Sequence, residues 1–491
     1  MSTATSGVGD GHGHAKGEPE LVRVMGPKLL LLFIVGDILG TGVYALTGTV
    51  AGEVGGAAWA PFLVAFAVAT ITALSYLELV TRYPQAAGAA LYTHRAFGIH
   101  FLTFLVAFTV MCSGITSAST ASNAFAGFLS DGFGLGYEAG SGGILMLALA
   151  FMAIVALVNF RGVGESVKAN VVLTCVELSG LLMIILIGFW AMTQGRADFT
   201  EVMIFHSSAD KSAFMALTAA TSLAFFAMVG FEDSVNMAEE CTNPVRDFPR
   251  MMLAGLGITG VIYVLVSICA VALVPVGDLT DPAKGSALTQ VVRAGAPGLP
   301  FDTIFPFIGM FAVANSALIN MLMASRLLYG LARQGVLPHA LGRVHPTRRT
   351  PWVAIIFTTL LAFGLIYFVV TNSQGAAVSL LGGTTALLLL CVFTIVNVSL
   401  LVLRKHKVAH VHFRAPSWVP WVGAATCAFL VGPWARSAAQ MPQYRIAAWL
   451  ITIGVVLWAL TWAWNHFVRH RDGHLRHPED LAEHHDGAPH N

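Results

Sequence analysis

The sequence predicts an all-α integral membrane protein of about twelve transmembrane helices. Three observations predict it: an apolar composition, apolar runs of spanning length, and basic residues gathered on one side. Of 491 residues, 56% are hydrophobic and 11% charged. A soluble domain carries roughly 25% charge, so this chain lacks the polar surface to face water all round. The lipid bilayer is the partner that composition demands. A formal net charge of +1 gives no reason to expect a nucleic-acid partner.

A span needs about 20 mostly apolar residues. Such runs lie at roughly 29–51, 58–80, 101–129, 143–160, 169–193, 213–240, 252–276, 303–332, 352–371, 377–403, 418–436 and 446–468. They are continuous rather than alternating, which favours helices over a barrel. Their Gly, Ala, Ser and Thr suit close helix packing. With the N-terminus inside, 21 of the 27 Lys and Arg residues fall on the cytoplasmic side. Arg196, Lys211, Lys284, Arg293, Arg436 and Arg445 fall on the other. That bias places both termini in the cytoplasm of a cell-membrane protein and requires an even number of spans. Residues 1–28 are a polar tail without the marks of a cleavable leader. Residues 29–403 form the expected core, 404–468 two further helices, and 469–491 a His-rich tail.

Two apolar segments are interrupted in corresponding places. The first contains Gly36-Asp37-Ile38-Leu39-Gly40-Thr41-Gly42, and the sixth contains Met228-Val229-Gly230-Phe231-Glu232-Asp233. They would open the two halves of a five-plus-five repeat. Paired interruptions of this kind point to a solute site where unwound backbone lines a midplane cavity.

At these residues the chain resembles the amino acid–polyamine–organocation (APC) superfamily. Four stretches carry the likeness: GDILGTGVYALTG from Gly36, RYPQAAGAALYTHRAFG from Arg82, FFAMVGFEDSVNMAEECTNPVRDFPR from Phe225, and ASRLLYGLARQGVLPHALGRVHPTRRTP from Ala324. It covers roughly residues 25–405; the last two helices match only in hydropathy. The resemblance implies a five-plus-five inverted repeat with broken helices 1 and 6. It also implies alternating access and transport of a small-molecule amino acid or amine, driven by an ion gradient or by exchange.

The expected site follows from backbone chemistry. Amides freed near Gly40, Thr41 and Gly42 start the outer half-helix and suit a carboxylate. Freed carbonyls, Ile38 among them, suit an ammonium, with Ala227 and Gly230 facing them from helix 6. Phe226 matches the position where the family places an aromatic gate, against the plainer reading of a core phenylalanine.

Carboxyls are the most informative side chains, because a charge near the bilayer centre costs on the order of 3 kcal/mol or more. Asp37 lies one turn before Gly40 and should share its cavity. Glu232 lies in the second interruption. Adjacent helical residues point about 100° apart, so Glu232 rather than its neighbour Asp233 is expected to line the site. Glu177 stands mid-helix where some proton-coupled relatives place a lysine; this chain departs from that pattern, and a carboxyl there can itself exchange a proton. Sodium is the alternative coupling ion. The plainer reading of Glu177 is an acid bonded to a neighbouring helix. Asn315, Ser316 and Ser325 could add polar groups, and Glu239, Glu240 and the Asn243–Asp247 stretch could latch a loop.

Other signals are discounted. Gly255 to Gly260 spells G-x-G-x-x-G inside an apolar span with no preceding strand, so a nucleotide reading fails its context. No Walker A pattern suggests an ATP-driven pump. Six scattered cysteines without a C-x-x-C read as buried free thiols rather than disulfides or a zinc site. His466, His470 and His474 have i, i+4 spacing, but a solvated tail explains them better than a metal. No cofactor is expected. An amine or polyamine exchanger, a channel, a transport-like sensor and a membrane enzyme are the competing classes. The enzyme lacks a convergent His/Asp cluster or Ser/His pair.

Overall fold

The computed structural model describes residues 26–83, 88–161, 166–206, 212–281, 284–333, 335–348, 350–373, 375–406, 408 and 410–467. Side chains of 166–170 and of Asn236, Met237, Glu239 and Glu240 lie outside that description, so the latch expected of the two glutamates does too. Both tails, with His470 and His474, also lie outside it.

Sixteen α-helices follow one another among the described residues. They are α1 (Pro27–Leu39), α2 (Thr41–Val54), α3 (Trp59–Arg82), α4 (Gly88–Phe97), α5 (His100–Phe133), α6 (Gly142–Arg161), α7 (Ser166–Thr193) and α8 (Ala213–Ala224), then α9 (Pro244–Leu273), α10 (Val276–Leu279), α11 (Ala287–Gly295), α12 (Phe301–Arg333), α13 (Trp352–Asn372), α14 (Ala377–Leu403), α15 (Val419–Val431) and α16 (Pro442–Phe467). Among the described residues eleven segments are long and apolar enough to cross a membrane, and α15 is a shorter apolar helix. The expected run at 418–436 breaks early because Pro433 cannot donate a helical N–H and biases Gly432 to extended backbone (φ −64°, ψ 152°).

The two interruptions are real breaks. In the first span only Gly40 leaves the helix (φ −38°, ψ −140°), so α1 and α2 meet at one residue. In the sixth, α8 tightens into a 3₁₀ turn at Phe225–Met228, unwinds, and resumes as 3₁₀ at Asp233–Glu240. Gly230 sits there at φ +124°, a conformation open to glycine alone. Around these breaks α5, α7, α9, α12 and α14 pack as a surrounding frame.

Small residues set the closest approaches. A Cβ at Gly255 would stand 2.7 Å from Ile34 Cγ2, and one at Gly260 2.6 Å from Phe66 Cδ2. The G-x-G-x-x-G run is therefore a packing surface of α9. The cysteines are free, but Cys175 is exposed and Cys391 half-buried, which corrects the expectation of buried thiols.

Candidate functional site: two broken helices and a cluster of carboxyls

The groups freed at Gly40 find side-chain partners. Thr41 N donates to Ser316 Oγ of α12 at 3.2 Å, and Tyr263 OH of α9 donates to the Ile38 carbonyl. Ser316 thus places its hydroxyl on the first break. Ser325 instead bonds within its own helix, to Leu322 O at 2.9 Å. A Cβ at Gly36 would overlap Thr174 of α7, and one at Gly42 would overlap the Ala227 backbone. Those two glycines let helices touch, and Gly40 alone makes the break.

The second break leans on the first. A Cβ at Gly230 would lie 2.7 Å from the Asp37 carbonyl, so the unwound strand runs against the end of α1. Glu232 folds back so that its Oε2 accepts the Gly230 N–H at 2.9 Å. The carboxylate therefore caps the break while remaining at the cavity wall. Phe226 is buried, and its ring packs beside Gly382 of α14, where a Cβ would lie 3.2 Å from Cδ1.

Beside the break lies a narrow cleft. Its polar lining is Glu232, Asp233, Ser113 of α5, Asn320 of α12 and Thr385 of α14. Asp233 lines it together with Glu232, against expectation. The 100° spacing behind that expectation holds in an α-helix; here the pair joins an unwound turn to a 3₁₀ segment. Asn320 anchors its amide on Ser316 O at 2.8 Å. One turn separates these α12 residues, a spacing that could have flagged Asn320 in the sequence.

Asp37 sits on the last turn of α1, with Oδ2 buried and without a hydrogen-bond partner, in the field of Asp233, Glu232 and Glu177. Glu177 is fully buried on α7. Its main-chain oxygen accepts Tyr44 OH of α2 at 2.6 Å, and Asn315 of α12 is the polar side chain facing its carboxyl. Among the described residues no Lys, Arg or His forms an ion pair with any of these four acids. No group of three metal-ligating side chains occurs among the described residues either.

A further buried acid was missed by sequence reading. Glu78 of α3 holds Arg404 at the end of α14, with Nε on Oε1 at 2.9 Å and Nη2 on Oε2 at 2.5 Å, and also accepts Ala415 N at 2.9 Å. The pair ties α3 to the α14–α15 connection at the end of the bundle that carries Arg82. It fastens these segments to one another.

Known proteins fit this architecture. A methylthioribose transporter of Bacillus subtilis (strain 168) is 27% identical over 83% of this chain and 87% of its own length. A branched-chain amino acid permease of the same organism is 25% identical over 90% and 94%. The chloroplastic cationic amino acid transporter 9 of Arabidopsis thaliana is 31% identical over 67% of this chain, which spans 58% of that longer protein. Residues 27–460 match the amino acid permease family model, and the chain therefore belongs to that family of membrane transporters.

Proposed function

We propose that this chain is a secondary active transporter that moves an amino acid or related amine across the cytoplasmic membrane by alternating access, coupled to protons. Support comes chiefly from one observation: Asp37, Glu177, Glu232 and Asp233 gather at two broken helices with no paired cation among the described residues. Intramembrane acids of this kind mark substrate and proton pathways. In this reading both termini are cytoplasmic. The backbone from Ile38 to Gly42 and at Ala227 and Gly230 receives the α-carboxylate and α-ammonium. Phe226 closes over them.

The acidic lining of the cleft favours a substrate with a positive charge over an acidic one. Relatives named cationic amino acid transporters agree with that preference. A relative named for methylthioribose keeps uncharged solutes in the screen. Glu177 carries the coupling proton when the site is sealed and yields it when water enters. The linkage is reciprocal, so the proton gradient biases the conformational equilibrium.

Counterflow in proteoliposomes tests the carrier: trans substrate should accelerate uptake, as no channel allows. Competition by glutamate but not by arginine, ornithine or putrescine would reject the charge preference. Glu177→Gln should abolish pH-driven uptake while exchange at equal pH survives. Uptake by that variant that still follows the proton gradient would move coupling elsewhere, first to Glu232.

A further inference from the structure

Arg436 lies in the connection between α15 and α16, buried to 4% exposure. Its Nη1 donates to the carbonyls of Leu430 and Ala435, both at 2.9 Å. Nε and Nη2 are sealed from solvent and have no acceptor. Those two N–H groups share one edge of the guanidinium, the fork that matches the two oxygens of a carboxylate. Arg404 shows the same fork in use, on Glu78.

Among the described residues no carboxylate plays that part for Arg436, and none lies within ion-pair reach of it. Its electrostatic neighbours are Tyr444 and Cys391. Glu53 of α2 receives the Gln440 amide at 3.3 Å instead. A guanidinium stays charged at any relevant pH, and a buried charge without a counter-charge is costly to keep.

The surrounding segment also reaches the transport machinery. Ser222 Oγ of α8 donates to Ala435 O at 2.9 Å, the same carbonyl that Arg436 uses. Four residues further on stands Phe226.

We propose that Arg436 is the recognition point of a second site, at the opposite end of the bundle from Arg404, which takes a small carboxylate anion on its Nε/Nη2 fork. The fork is covered in this conformation. The carboxylate enters when the Pro433–Gln440 stretch lifts, and the shared Ala435 carbonyl passes the movement to α8.

The test uses the purified full-length protein, with sodium acetate replacing sodium chloride at constant ionic strength. Saturating acetate should raise the wild-type melting temperature by about 2 °C relative to chloride. Arg436→Gln should show no acetate effect. Arg436→Lys, which keeps the charge without the fork, should lose the preference for acetate over chloride, and it carries the test if the glutamine variant does not fold. Equal acetate stabilisation of wild type and variants would overturn the proposal, as would a wild type that does not distinguish acetate from chloride. These arms stand apart from the proposed function. A last arm rests on it and identifies the source of the carboxylate. In vesicles, a KM raised about tenfold by Arg436→Lys at constant kcat names the transported molecule itself. An unchanged KM with the acetate response lost names a separate anion.

Discussion

Glu78 and Glu177 are both buried carboxyls on membrane-crossing helices, and the protein treats them in opposite ways. Glu78 receives three donors, two from Arg404 and one from Ala415 N. Glu177 faces Asn315 and no cation among the described residues. The arginines repeat the contrast, for Arg404 fills its fork and Arg436 finds no acceptor for its own among the described residues. A buried charge with an internal counter-charge fixes helices relative to one another. In the function proposed above, one without it exchanges a proton or meets a ligand. That reading would separate fastening from function among residues that look alike in the sequence.

The largest effect that could break this comparison is at Glu78. Glu78→Ala leaves the Arg404 guanidinium in its place with no counter-charge. A loss of about 3–5 kcal/mol is expected, since breaking one side of a buried pair strands the other. Chemical or thermal unfolding of the variant in detergent measures it. A cost below about 1 kcal/mol would place the pair with weak surface bridges and remove the contrast.

Glu177→Gln should behave in the opposite sense on the same unfolding assay. The amide keeps a hydrogen-bonding partner for Asn315 and removes an acid with no paired cation, so stability should change by less than about 1 kcal/mol. Proton-driven uptake should nonetheless disappear. A variant as unstable as Glu78→Ala would show that Glu177 is a fastening too.

A loss smaller than that at Glu78 is expected at the second break. Gly230→Ala demands a side chain at φ +124° and 2.7 Å from the Asp37 carbonyl. Strain of roughly 1–3 kcal/mol should straighten or shift the segment, weakening substrate binding while the protein still inserts. Near-normal affinity of the purified variant would mean that the unwound backbone is not part of the site.

Much of this was legible in the sequence. Apolar runs located the spans because a bilayer demands length and apolarity alone, and Gly40 and Gly230 marked both breaks. Roles that depend on a partner across the fold were not legible. Nothing local distinguishes Gly36 and Gly42, which accommodate Thr174 and Ala227, from Gly40, which unwinds. Glu78 and Arg404 are 326 residues apart, so their pairing left no spacing to read. Asp233 was set aside by a helical rule in a place where the helix had already ended.

A further effect is expected at the first break, where the contrast between satisfied and waiting groups reaches the backbone. Ile38 O is the carbonyl that sequence reasoning offered to a substrate ammonium, yet Tyr263 OH already bonds it. A carbonyl has two lone pairs, so the phenol can hold the end of α1 and still leave room for a ligand. Tyr263→Phe keeps the ring packed beside Phe62, whose centroid lies 6.2 Å away, and removes only the hydroxyl. Stability should fall by about 0.5–1.5 kcal/mol, the net worth of one hydrogen bond. If the substrate uses the other lone pair, its affinity should stay within about threefold of wild type, because that is less than one hydrogen bond's worth. Isothermal titration of wild type and variant with the substrate that emerges from competition decides it. An affinity loss of tenfold or more would make Tyr263 itself a contact of the ligand. The Ile38 carbonyl would then be a fastening, like Glu78, and not a group held open for the substrate.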